Sequence, residues 1–356
     1  MITRRARTIA LIISFVALVA VFFVAATRPV PYVRLSPGPV YNALGDDQGQ
    51  PVVSIEGAKT YPTDGSLGIT TVYELGAPGS QLSFFQAFRG WLDPSENVVP
   101  RDFLYSDDDF DGDDAGDDFK QQGAAQLAES EQSAIVAALR YVGEPVTFDV
   151  VVTDVKPGTP ADGVLEVDDV IVSIDGQTVD KYRDVVKILD SVEPGDTVDL
   201  VIERDGKRLE EQVTTETNPD APERAYVGVL LGVGVSSPVD VQLRLDDVGG
   251  PSAGLIFSLA IVDTLTPDSL TGGQDLAGTG TITPNGRVGP IGGIVQKMYA
   301  ARDNGASTFL APRSNCGEIV GNVPDGLDVV AVRSLDEAVG ALDGTGPAPA
   351  CPTGKG

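Results

Sequence analysis

The chain of 356 residues carries 52 Asp and Glu against 25 Lys and Arg, a formal net charge of -27, which excludes nucleic acid as a partner because phosphate contacts need basic patches. Its 42% hydrophobic content excludes wholesale disorder, and its length admits two or three domains, each with its own core. It has no histidine, so a Ser-His-Asp arrangement is excluded, and any nucleophilic serine must pass its proton to a carboxylate, a lysine or a chain terminus.

Arg4, Arg5 and Arg7 precede an uncharged stretch from Thr8 to Thr27. That is the length needed to cross about 30 Å of hydrocarbon at about 1.5 Å per residue. The three arginines predict a cytoplasmic N-terminus (1–7) and a single-pass anchor (8–27), with the remainder outside. A cleaved signal peptide is the alternative, but Ala25-Ala26-Thr27 is a poor cleavage site. A turn-rich linker (28–50) leads to a predicted strand at Gly68–Leu75. Leu82–Leu92 places Phe84, Phe85, Phe88 and Trp91 at near-helical spacing, which fits a helix facing the core or a membrane surface, with the core preferred.

The acidic block Asp107–Asp114 reads most simply as a solvated loop. A sharper reading places Asp107, Asp109, Asp111 and Asp118 at ligand positions of an EF-type Ca²⁺ loop, with Asp where Glu is usual at the end. Glu129–Tyr141 is predicted helical. Residues 146–218 then form a compact unit of strands, tight turns and one helix, Tyr182–Leu189.

At Gly249-Gly250-Pro251-Ser252-Ala253-Gly254 a serine sits on a glycine-rich turn before an apolar helical pattern. Free N–H groups and the positive end of a helix dipole are the donors an oxyanion needs. On the turn alone, a helix N-cap is the commoner role for Ser252. Lys297 changes the balance. It lies among Ile294, Val295, Met298, Tyr299 and Ala300, where lost solvation lowers an amine's pKa and makes it a base near neutrality. A snorkelling lysine is the plainer reading when Lys297 is taken by itself. Two cysteines, Cys316 and Cys351, could close a loop over the Pro- and Gly-rich tail (344–356), consistent with an oxidising exterior.

The order of elements in 146–218, with Gly158-Thr159-Pro160-Ala161 and Gly176 after Ile174-Asp175, resembles a PDZ domain of the bacterial type. The carboxylate-binding turn expected before its first strand is replaced by Tyr141-Val142-Gly143-Glu144-Pro145. Gly250–Gly254, Thr279-Gly280 through Gly286-Arg287-Val288, and Gly292-Gly293 followed by Lys297 together resemble the proteolytic domain of Lon proteases. That resemblance implies a Ser252–Lys297 dyad, with Thr279 orienting the amine and Gly250, Pro251 and Ala253 shaping the turn. Gly250 and Thr281 depart from the acidic residues that many members carry there.

The implied fold class is α+β: a Lon-type proteolytic domain (α/β, 225–343) plus a PDZ β-sandwich-like domain and one N-terminal transmembrane helix. The whole is similar to the membrane-bound, PDZ-containing Lon-like proteases of bacteria, the YlbL-type family. No P-loop motif occurs, so ATP-driven unfolding is not encoded. The expected activity is ATP-independent endopeptidase cleavage of unfolded or flexible polypeptides at the outer face of the membrane, with no cofactor. The resemblance implies a homo-oligomer, such as a hexamer. The rival reading is a noncatalytic tethered scaffold. Residues 51–145 include segments, 56–75 and 129–141, that resemble the first strands and helix of a Lon domain, so the PDZ unit reads as an insertion into a split Lon-like fold.

Overall fold

The computed structural model describes residues 4–110, 112, 114–219, 221–246 and 248–352. In chain order the principal elements are α1 (Arg4–Thr27), β1 (Tyr32–Asn42), β2 (Val53–Glu56), β3 (Ser66–Leu75), α2 (Phe84–Gly90), β4 (Asn97–Pro100), α3 (Ala115–Val142), β5 (Thr147–Val155), β6 (Val170–Ile174), α4 (Tyr182–Leu189), β7 (Thr197–Arg204), β8 (Lys207–Thr214), β9 (Val229–Ser236), β10 (Asp240–Leu243), α5 (Gly254–Leu265), β11 (Asp275–Gly278), α6 (Ile294–Asp303), β12 (Thr308–Pro312), β13 (Asp328–Val332), then helices α7 (Cys316–Ile319) and α8 (Leu335–Leu342), α7 lying between β12 and β13. Two compact units result: 1–143 with 239–356, and 144–238.

The first unit is a mixed sheet in the order β13-β12-β11-β3-β1-β4. β13, β12, β11 and β3 run parallel, while β3–β1 and β1–β4 are antiparallel. Its central pairing sets Ala277 opposite Gly68, joining strands from either side of the second unit. α5 is apolar on every face, and Leu255–Val262 is buried throughout, as expected of a helix enclosed by its own domain. α3 packs along it. α6 buries Ile294, Met298 and Ala301 against Ala277 and Phe309.

Cys316 and Cys351 are bonded, with Cα atoms 5.4 Å apart. Cys351 packs against the α6 core, and Pro349 O accepts from Ala331 N–H at 2.7 Å, so the bridge holds the tail beside β13. Closing a loop of 35 residues limits the unfolded chain by about 3–4 kcal/mol. Cys351→Ser is therefore expected to lower the urea midpoint of the first unit, and the reduced wild-type protein should match it. Equal midpoints with and without reductant would show that the bridge contributes nothing.

The second unit is a sheet in the order β8-β7-β6-β5-β9, its core formed by Val150, Val152, Ile171, Val198 and Ile202 with Val185 and Ile188 of α4. Asp169 is fully buried. Burial pushes its carboxyl up, but the two-pronged hydrogen bond from Arg204, at 2.7 Å on each oxygen, prevails and holds it below the usual carboxylate range.

Two expectations are corrected. Residues 225–238 belong to the PDZ-type unit, because β9 pairs with β5 along its whole length, Val229 opposite Val155 and Ser236 opposite Thr147. The aromatic face of α2 is not in the core: Phe84, Phe85, Phe88 and Trp91 are 44–55% exposed, while Ala87 and Leu82 are buried in their place. The helix forms where the N-terminal span was expected, but among the described residues no helix is long and apolar enough to cross a membrane.

Candidate active site

The turn between β10 and α5 is clamped from two sides. Gly250 adopts φ +89°, a conformation a side chain would strain, and donates its N–H to Gly123 O on α3 at 2.9 Å. Pro251–Ala253 form one turn of 3-10 helix. The Ser130 hydroxyl of α3 donates to Pro251 O at 2.9 Å. At Gly254 a Cβ would come 2.8 Å from Ser130 Oγ and 2.9 Å from Ile282 Cγ2, so only glycine lets α3 close on the turn. Ala253 is buried. From the other side, Gly280 N–H and the Thr279 hydroxyl donate to Ser252 O at 2.8 and 2.9 Å. Leu255 N–H donates to Gly280 O.

The side chain of Ser252 caps neither helix start. It meets Lys297 Nζ at 2.6 Å, and the same amine lies 3.1 Å from Thr279 Oγ1. Thr279 has one hydroxyl proton, and that proton goes to Ser252 O. Toward Lys297 it can therefore only accept, so an N–H of the amine points at Thr279. The charged amine donates a second N–H to Ser252 Oγ; once neutral, rotation about its C–N bond turns the lone pair to that oxygen.

Lys297 is 3% exposed and Thr279 is fully buried, while Ser252 is half-buried at the mouth of the site. Burial drives the Lys297 amine down to about 7, and the charge of Glu74 acts in the opposite direction. Thr70, Val72 and Glu74 share one face of β3 by strand alternation, and Val72 packs on Gly293 at the start of α6. Glu74 also accepts from the Tyr105 hydroxyl. Sequence reasoning missed Glu74 and the grip of Gly123 and Ser130; the alternation of β3 was the signal for Glu74. Glu131, next to Ser130, is pushed up to about 7 by burial.

The described residues of the acidic loop are engaged within the fold. Asp107 pairs with Arg101 at 3.1 Å, Asp109 accepts from the backbone and hydroxyl of Ser106, and Asp118 lies in the first turn of α3. Asp111 is outside the described residues. Among the described residues no group of three or more acidic or Cys side chains could hold a metal ion.

In the second unit, β9 is an edge strand of the sheet and α4 packs beside it. It is preceded by Tyr226-Val227-Gly228, whose Val227 and Gly228 carbonyls accept from Ala161 and Lys156 N–H. Val227-Gly228-Val229-Leu230 thus forms a Gly-containing turn leading into β9 at the far end of the unit.

Residues 121–215 match the PDZ domain family, and residues 247–342 match the Lon protease (S16) C-terminal proteolytic domain. The PDZ match begins within α3 and stops short of β9. Over 108 residues the chain is 36% identical to Lon protease 2 of Herpetosiphon aurantiacus and 39% identical to Lon protease of Haemophilus influenzae, in each case 28% of this chain and 13% of the relative. The chain therefore spans about an eighth of the length of these relatives. Among solved structures, the PDZ domain of an SdrC-like protein from Listeria monocytogenes is 25% identical, over 23% of this chain and 86% of that one, with a TM-score of 0.22.

Proposed function

Because this chain carries a PDZ domain and a Lon-type (S16) serine-peptidase domain, we propose that it is a nucleotide-independent endopeptidase working through a Ser252–Lys297 dyad. The observation that carries this reading is the 2.6 Å approach of a fully enclosed lysine amine to a half-buried serine hydroxyl. The neutral amine takes the Ser252 proton as Oγ attacks the peptide carbonyl. The ammonium then returns it to the leaving amine, and water repeats the cycle on the acyl-enzyme. Gly250, Leu255 and Gly280 have their N–H groups engaged, so the oxyanion falls to the Ser252 turn at the positive end of α5.

Substrates are flexible polypeptides, since these 356 residues hold no P-loop motif to drive unfolding. The PDZ unit takes a peptide as an added strand on the free edge of β9, where Leu230 and Val233 are 52% and 60% exposed. α1 tethers the enzyme to the membrane: 24 helical residues extend about 36 Å, with exposed apolar side chains from Ile9 to Phe23. The disulfide agrees with an extracytoplasmic position for the catalytic unit.

Cleavage of casein by the full chain without nucleotide tests the reading. Equal rates for wild type and Ser252→Ala would overturn it. The pH profile tests the base. The value of kcat/KM should rise with pH through a midpoint of about 7 as Lys297 loses its proton. Glu74 stabilises the ammonium, so Glu74→Gln should move that midpoint to lower pH. Glu131→Gln should leave it in place; movement there instead would assign the limb to Glu131.

A further inference from the structure

α2 begins where α1 ends. Phe84 N–H donates to Arg28 O at 3.3 Å and Val30 N–H to Leu82 O at 2.9 Å, and Pro29 pairs with Ser83 as a β-bridge. Ser83 caps α2 with a full capping box, its hydroxyl accepting from Gln86 N–H and Gln86 Oε1 accepting from Ser83 N–H. The helix is therefore fixed in orientation on its buried Ala87 and Leu82 face. The opposite face presents Phe84, Phe85, Phe88, Trp91 and Leu92, from 44% to 72% exposed. Phe103 is 79% exposed, on a turn whose Arg101 N–H donates to Pro31 O. In a chain of net charge -27, the exposed charges flanking this patch at the junction include the cations Arg28 and Arg89.

We propose that this aromatic face is a lipid-interface docking surface, inserted in the headgroup region of the bilayer that holds α1. Its composition is that of the aromatic belt: Phe and Trp rings at the water–hydrocarbon boundary, with arginines reaching the phosphates. Its position fits too. If α1 crosses the bilayer, Thr27 lies at the interface, and the Arg28–Phe84 hydrogen bond holds α2 at the same depth. The partner is a phospholipid surface, not a second protein, because α2 packs against the apolar helix α1. Docking would tie the catalytic unit to a fixed orientation over the membrane instead of leaving it on a swivel. The inference rests on the tether proposed above.

Trp91 is the single tryptophan of the chain, so its fluorescence reports this face alone. The full chain is reconstituted into phosphatidylcholine–phosphatidylglycerol vesicles carrying a nitroxide either near the headgroup or near the acyl terminus, and flotation with the vesicles is scored separately. Docking is expected to shift emission to shorter wavelength and to give stronger quenching by the shallow nitroxide than by the deep one. The Phe85→Ser, Phe88→Ser double variant, altered only on the exposed face, should still float and still cleave casein but lose the shallow quenching. Flotation with Trp91 unquenched and open to aqueous acrylamide would overturn the docking surface while leaving the tether standing. Flotation with Trp91 shielded from both quenchers would overturn it in favour of a protein partner, such as a second copy. No flotation would overturn the tether and the docking surface together.

Discussion

Ser252→Ala is expected to reduce nucleotide-free peptide cleavage by on the order of 10⁴-fold or more while leaving the melting temperature within a degree or two. The loss is large because the attacking atom is gone and no neighbour can replace it; a residual rate would come from binding and oxyanion contacts alone. The fold should tolerate the change because the elements that shape the turn are backbone groups: Gly250 N–H on Gly123 O, Pro251 O on Ser130, and Ser252 O on Thr279 and Gly280. Only the Oγ contact with Lys297 is lost. Phosphonylation of Ser252 by a fluorophosphonate probe, with loss of fluoride, gives the same answer by mass, with labelling of wild type and none of the variant.

Lys297→Met should separate activity from stability. Cleavage should fall about as far as in Ser252→Ala, and the double variant should lose little more, because the two residues act as one unit. Stability at pH 7 should rise. The amine ordinarily ionises at 10.5, and burial brings it to about 7. Between those values the unfolded chain binds a proton that the folded chain does not. Wild-type stability therefore increases with pH across this window, by about 1.4 kcal/mol per unit. At pH 7 and below the cost of burying the amine is borne in full. Methionine avoids it, offset by two lost hydrogen bonds of about 1 kcal/mol each. The expected gain is about 1–3 kcal/mol at pH 7, shrinking and then reversing as pH approaches 10.5. A destabilised variant at pH 7 would mean that Lys297 is held charged.

Much of the site could be read from the chain because its chemistry is local. The serine turn needs Gly250 and Gly254 at fixed offsets from Ser252, and a lysine in apolar helical company stands out in a sequence with few lysines and no histidine. The parts that could not be read are those set by long-range pairing. The charge of Glu74 acts on Lys297 only because β3 lies under α6, and Gly123 and Ser130 reach the turn only because α3 packs on α5. At the PDZ unit the strand that completes the sheet, β9, comes last in the chain, so its pairing with β5 was hidden from sequence order. The α2 aromatics show the limit of hydrophobic periodicity, which locates an apolar face without saying what covers it. The Asp-rich loop matched a ligand pattern, but Asp107 is engaged by Arg101 and Asp109 by Ser106.

The pairing of strands across the inserted unit also fixes when the enzyme can exist. Thr70 Oγ1 bonds Gly278 O across 208 residues, and Ser130 holds Pro251 across 121. A chain emerging from its N-terminus presents β3 and α3 long before their partners, and Lys297 follows Ser252 and Thr279. On the proposed mechanism, Ser252 stays an ordinary alcohol until Lys297 has been made and packed. The topology would thus act as a safety catch during biosynthesis: a growing chain could not be cut by its own unfinished active site.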